Sequence, residues 1–107
     1  MTEDWLARDA VGLLEAYAAG LTDPKAVIAR LLERFEAVEP RLNAYSILNP
    51  VLIEEAAQSA ARWAAGAPMG PLDGVPVVVK DNIAAAGMPA AWGNAALARR
   101  PVAQDEA

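Results

Sequence analysis

The feature that most constrains the fold of this chain is a short apolar run, Val77–Val79, which lies between a turn-rich segment and Lys80. The run does not alternate with polar residues, and consecutive β-branched residues favour a strand that is covered on both faces. Pro76 stands near its start, where a missing backbone donor costs a strand least. We therefore predict a buried strand over about residues 75–80, in a parallel α/β sheet.

The remainder of the chain is mostly helical by its apolar spacing. Gly20 is a stop signal for a first helix, Pro40 for a second, and Asn49-Pro50 reads as the N-cap and first position of a third. The predicted bounds are about 9–19, 23–39 and 50–65 for the helices, with a second short strand over about 42–48.

Two strands do not make a self-sufficient sheet. A strand covered on both faces needs neighbours, and unpaired backbone groups on a buried edge are costly. At 107 residues the chain has the length of one domain or of part of one. We therefore expect part of a larger fold, and the acidic segment Gln104–Ala107 resembles the start of a further helix.

Composition excludes several classes of function. The net charge is −5, and the few basic residues are scattered, which argues against direct nucleic-acid binding and against an anionic membrane as the main partner. The chain has no cysteine and no histidine, so neither a zinc site nor a histidine-based triad is expected, and no cofactor is indicated. Neither a secretory leader nor a membrane span is visible, so the expected location is the cytoplasm.

Lys80 is the candidate for chemistry. Ligands of open α/β sheets bind beyond the carboxyl ends of the strands, where partial desolvation favours a neutral amine that can act as a general base or a nucleophile. The alternative is a structural lysine, whose stem covers apolar surface while its amine reaches water or pairs with Asp81. The pattern alone favours this second interpretation.

The segment Gly70–Ile83, followed by Ala86–Pro89, resembles the amidase signature family, in which it reads G-P-L-x-G-[IV]-P-x-x-[VI]-K-D-N-[IF] and then A-G-[LM]-P. The stretches Gly20–Thr22 and Pro40–Tyr45 also look like the opening of that family. The resemblance implies an α/β fold in which helices pack on a mixed, largely parallel sheet. Residues 1–107 would be the N-terminal segment of one such domain, incomplete in this chain.

The resemblance also implies a Ser–cisSer–Lys triad, with Lys80 as the base. In the family, a bridging serine held by a cis peptide relays a proton from a nucleophilic serine to the lysine, and backbone N–H groups stabilise the oxyanion. Both serines lie downstream in a glycine- and serine-rich segment. This chain has only Ser46 and Ser59, neither in such a context, and each is expected to bond nearby backbone or water. The isolated chain is therefore expected to be inactive.

Three positions depart from the family pattern. Ala90 and Ala91 stand where two hydroxyl residues are common, and Asn94 replaces a common serine. The hydroxyls that would help to build the wall of the site are therefore missing, and the substrate-binding residues remain unknown.

Neighbouring residues have simpler expected roles. Asp81 and Asn82 should orient the turn after the strand and bond nearby backbone. Gly74 and Gly87 should satisfy backbone geometry. Trp92 could line a substrate pocket, but packing is the favoured interpretation.

Three functions remain open at this stage. The first is an amidase that hydrolyses a small carboxamide. The second is the signature-bearing component of a tRNA-dependent amidotransferase, which works with partner subunits, and the third is a small non-catalytic module that binds partners through its helices. An open strand edge would also permit a homodimer.

Overall fold

A computed structural model describes residues 4–94 and 96–106. These residues form three α-helices and two short 3-10 helices; their bounds are α1 Ala10–Ala18, α2 Pro24–Leu42, α3 Leu52–Ala64, and Trp5–Ala7 and Leu97–Arg99 for the 3-10 helices. No described helix combines the length and the apolar character needed to cross a lipid bilayer. Gln104–Glu106 do not begin a helix, contrary to the expectation for the acidic C-terminal segment, and Ala107 lies outside the described residues.

Side-chain caps begin α1 and α2. The Asp9 carboxylate accepts the N–H of Gly12 at 2.8 Å, and the Asp23 carboxylate accepts the N–H of Ala26 at 2.8 Å. Each bond satisfies a donor that the first helical turn leaves unpaired. The helix α3 begins at Leu52, not at Pro50, because Val51 has φ −112° and ψ 19°, outside the helical region.

Pro40 does not end α2, contrary to the predicted boundary at residue 39. The helix continues to Leu42 with Pro40 inside its last turn. A proline at this position removes only one backbone hydrogen bond near a helix end, and the following residues can still bond backwards. The helix stops at Asn43, whose φ of +48° is the left-handed conformation that commonly follows a helix C-terminus.

The predicted strands at 42–48 and 75–80 do not form in the described residues. Leu42 belongs to α2, and the β-type pairing present there is an isolated antiparallel bridge between Pro89 and Pro101. Val77 and Val78 are 78% and 74% exposed, not covered on both faces. A strand exists only as part of a ladder, and no neighbouring segment of the described chain supplies one. The mixed sheet of the expected α/β fold therefore stays a prediction.

The chain divides into two compact units, one within Met1–Pro40 and Val51–Pro76 and the other within Arg41–Pro50 and Val77–Ala107. The core of the first unit contains Leu13, Tyr17 and Val27, with Trp5, Leu6, Leu14 and Trp63 packed against it. The helices α1 and α3 meet through the rings of Tyr17 and Trp63, whose centroids are 5.7 Å apart and whose planes are tilted by 51°. This tilted arrangement adds aromatic contact to the apolar burial.

Gly74 lies against the helices of the first unit. Its φ is +87°, and an added Cβ would lie 2.5 Å from Pro24 Cγ and 2.9 Å from Ser59 Oγ. The hydroxyl of buried Tyr17 donates to the Gly74 carbonyl oxygen at 2.9 Å. The interpretation of Gly74 as a residue required by backbone geometry is confirmed, and close packing adds a second reason.

The substitution Gly74→Ala should lower the free energy of unfolding by about 3 kcal/mol, since left-handed strain and overpacking add. The matched control is Gly66→Ala, where φ is +69° but nothing lies within 4 Å of the added Cβ. The control should lose only about 1 kcal/mol, from strain alone. Denaturant unfolding followed by circular dichroism measures both values, and equal losses would contradict the packing argument.

Candidate active-site segment

A buried polar cluster surrounds Asp73, in the turn-rich segment that precedes Lys80. The Arg62 guanidinium binds the carboxylate through two bonds of 2.7 Å, one from Nε and one from Nη2. Ser59 Oγ donates to the same carboxylate at 2.7 Å, and the Met69 N–H donates at 2.8 Å. The Trp63 indole N–H donates to the Asp73 carbonyl oxygen at 3.0 Å. The cluster therefore attaches this segment to α3 by both side chain and main chain.

Helical spacing explains how α3 builds its side of the cluster. Ser59, Arg62 and Trp63 stand three and four residues apart, so they share one helix face. The Asp73 side chain is only 4% exposed, whereas that of Arg62 is 30% exposed. The paired charge is thus largely removed from water, and its bidentate geometry is the strong form of this interaction.

The electrostatics of the cluster favour the ionised carboxylate. The hydrogen bond from Arg62 holds the pKa of Asp73 far below its usual range, against the opposing effect of burial, and the Met69 N–H and Ser59 hydroxyl act in the same direction as Arg62. Burial, with the nearby charge of Asp23, raises the pKa of Tyr17 to about 12, so its hydroxyl remains a donor to Gly74.

Ser59 is a structural serine in this arrangement. It is 3% exposed and its hydroxyl is bonded to Asp73, fourteen residues along the chain, not to local backbone or water as expected. Neither Asp73 nor Arg62 stands out in the sequence as a site residue. The available signal was a polar pair at helical spacing, Ser59 and Arg62, on a face that also carries an aromatic residue.

Lys80 lies in the second unit and is exposed. Its carbonyl oxygen accepts the N–H of Ile83 at 3.0 Å, which closes a turn directly after the valine run. Within the described residues, its amine has no hydrogen bond or ion pair, either with Asp81 or with Ser46. The desolvation expected at the end of a buried strand is also not found there, because that strand is not formed.

Asp81 joins the Lys80 turn to a second turn of the same unit. Its carbonyl oxygen accepts the N–H of Trp92 at 3.2 Å, and its carboxylate accepts the N–H of Gly93 at 3.1 Å. The prediction that Asp81 bonds backbone is confirmed, although its partners are eleven and twelve residues away. The packing interpretation of Trp92 is wrong, since this residue is 66% exposed.

Comparison with known proteins gives the class of this segment. The model of a family described as Amidase matches residues 26–107, which include the whole of the Lys80 turn and the turn that contains Trp92. The chain belongs to the amidase family. The resemblance drawn from the Gly70–Ile83 motif is thereby confirmed at the level of the family.

Curated relatives cover most of this chain. It is 40% identical over 89 residues to a glutamyl-tRNA(Gln) amidotransferase subunit of Deinococcus deserti, which is 83% of this chain and 18% of the relative. It is 39% identical over 97 residues to "Putative amidase AmiC" of Mycobacterium leprae, which is 91% of this chain and 19% of the relative. The chain thus spans about a fifth of the length of these amidase-family relatives. None of the solved structures matches it significantly.

The substitution Asp73→Asn should lower the free energy of unfolding by about 2 to 3 kcal/mol, because it removes a charge-assisted pair and leaves Arg62 unmatched. The control is Glu33→Gln, which breaks the exposed Arg30–Glu33 contact of 3.6 Å on α2. That change should stay within about 0.5 kcal/mol. Urea midpoints of the three proteins measure the difference, and a loss in Asp73→Asn no larger than the control would refute the cluster's role.

The stability conferred by Asp73 should depend on pH in the acid range. The unfolded aspartate has a pKa of about 3.9, and the folded pKa lies well below it. The contribution is therefore complete above about pH 4 and is lost progressively as the pH falls through the folded pKa. The gap in unfolding free energy between the wild type and Asp73→Asn should shrink from pH 6 toward pH 2 in a denaturant titration series. A gap that is constant or widens would show that the carboxylate charge is not the stabilising element.

Proposed function

We propose that the complete protein is an amidase-type hydrolase that cleaves a small carboxamide with a Ser–cisSer–Lys triad in which Lys80 is the base. The observation that carries this proposal is the position of Lys80 in the signature motif, inside the region matched by the family model.

The proposed reaction uses Lys80 as the end of a proton relay. The neutral amine accepts a proton from the bridging serine, which takes one from the nucleophilic serine as that oxygen attacks the amide carbonyl. The tetrahedral intermediate collapses as protonated Lys80 returns its proton through the bridging serine to the leaving nitrogen, and water, which gives a proton to the same relay, then releases the acid from the acyl-enzyme. Neither serine of the family motif is present among these residues, so we propose that the isolated chain is inactive.

A second candidate is the amidase-type component of a glutamyl-tRNA(Gln) amidotransferase. Relatives described as subunits of this enzyme occur in several organisms, among them Deinococcus deserti and Salinispora arenicola, at 40% and 36% identity. This function and the first share the amide chemistry and would share Lys80. They differ in whether a free carboxamide is hydrolysed without partner subunits and tRNA.

The remaining proposals concern location and assembly. We propose a cytoplasmic enzyme that binds a small amide and neither a membrane nor, through this segment, nucleic acid directly. Within the described residues the exposed run Val77–Val79 has no strand partner, so the isolated chain is proposed to form a homodimer by pairing this run with a second copy.

The substitution Lys80→Ala, made in the protein expressed from the complete reading frame, should lower kcat/KM for carboxamide hydrolysis by about a thousandfold or more, the usual range for loss of a positioned base. Ammonia release measures the rate. The matched control is Lys25→Ala, which changes the chain's only other lysine, an exposed residue in the first turn of α2.

The control should keep full activity. Equal activity of Lys80→Ala and the wild type would refute the base assignment. Ammonia release that requires added partner subunits and tRNA would favour the amidotransferase. A complete reading frame without amide chemistry in either assay would leave the non-catalytic module as the function.

A further inference from the structure

We infer that Trp92 is a specificity-determining residue of this site, and that the site takes carboxamides that carry an aromatic or other flat apolar group beside the amide. The inference rests on the proposed function, since it assumes that Lys80 marks the reacting centre. It is carried by the geometry of the second unit, which contains both residues.

Asp81 fixes the position of Trp92 relative to Lys80. Asp81 directly follows Lys80 in the chain, and it receives both the Trp92 N–H at 3.2 Å and the Gly93 N–H at 3.1 Å. The main chain of Trp92 is therefore bonded to the residue adjacent to the candidate base. A side chain on this turn is well placed to contact the group attached to a reacting amide.

The conformation of Trp92 is unusual for a bulky residue. Its φ is +52°, a region that few residues other than glycine adopt. The turn is closed by the Asn94 N–H, which donates to the Ala91 carbonyl oxygen at 2.8 Å. Such conformations persist where the surrounding contacts enforce them, and they concentrate at functional sites.

The exposure of Trp92 contrasts with that of its neighbour. Ala91 is 4% exposed and Trp92 is 66% exposed, so the turn buries the small side chain and presents the indole. The turn therefore presents a large aromatic ring that can stack on an apolar group of a ligand.

The residues around Trp92 indicate which ligand it would accept. Ala90 and Ala91 stand where the family pattern often has hydroxyl residues, and the Asn94 side-chain oxygen already accepts the N–H of Ala96 at 2.8 Å. The turn over residues 90–94 therefore lacks the hydroxyl donors that would orient a polar substituent, and it presents an indole instead. Stacking on an aromatic or flat apolar group is the recognition that the indole offers.

The test compares benzamide with acetamide as substrates of the protein from the complete reading frame, with the variants Trp92→Ala and Trp92→Phe. Trp92→Ala should lower kcat/KM for benzamide by about tenfold to a hundredfold, chiefly through KM, because it removes binding shared by ground state and transition state. The value for acetamide should change less than about threefold. Trp92→Phe should restore most of the benzamide activity, because a flat ring is retained.

Equal losses for the two amides, or no loss for benzamide, would overturn the inference while leaving the hydrolase proposal intact. A second measurement applies if the wild type hydrolyses neither amide. The indole N–H signals of the protein from the complete reading frame are recorded by NMR during titration with benzamide, and Trp92→Phe assigns that of Trp92. A saturable shift of the Trp92 signal that exceeds those of Trp5 and Trp63 is the expected result, and its absence would overturn the inference.

Discussion

The bidentate ion pair between Asp73 and Arg62 is the contact on which the first unit depends. It joins the turn-rich segment to α3, and it brings Ser59 and the Met69 backbone to the same carboxylate. Removing a charge from water is costly unless its hydrogen-bonding capacity is satisfied. The Asp73 carboxylate accepts hydrogen bonds from three residues, Arg62, Ser59 and Met69. The pair therefore favours one position of the turn-rich segment along α3, because a shifted position would separate the charges of Asp73 and Arg62.

The close approach at Gly74 follows from this attachment. With Asp73 held on α3, the next residue lies between Pro24 and Ser59, and Tyr17 reaches its carbonyl from α1. Elements distant in sequence thus converge on two adjacent residues of the amidase motif. The proposed base, Lys80, follows a few residues later, so the anchored residues and the proposed base are separate parts of one motif.

The helices were largely predictable from sequence, because their apolar spacing and Asp caps are local properties. The extension of α2 past Pro40 was not, since a proline near a helix end removes one bond and the other backbone bonds decide the boundary. The strand predicted over 75–80 does not form in the described residues. Three valines favour an extended backbone, but a ladder needs a partner that the described residues do not supply. Asp73 gave no sign of its role, because its partners are remote or backbone groups.

The sequence by itself determined the class of the protein and its candidate base. The ordered motif around Lys80 identifies the family through residue types and spacing, which do not depend on how the rest of the chain packs. Only the tertiary structure decided that Ser59 is a buried partner of Asp73, that Gly74 is required by close contact as well as by its backbone, and that Trp92 is open on a turn held by Asp81. The physical reason is that burial and hydrogen bonding between distant residues arise only when the chain folds.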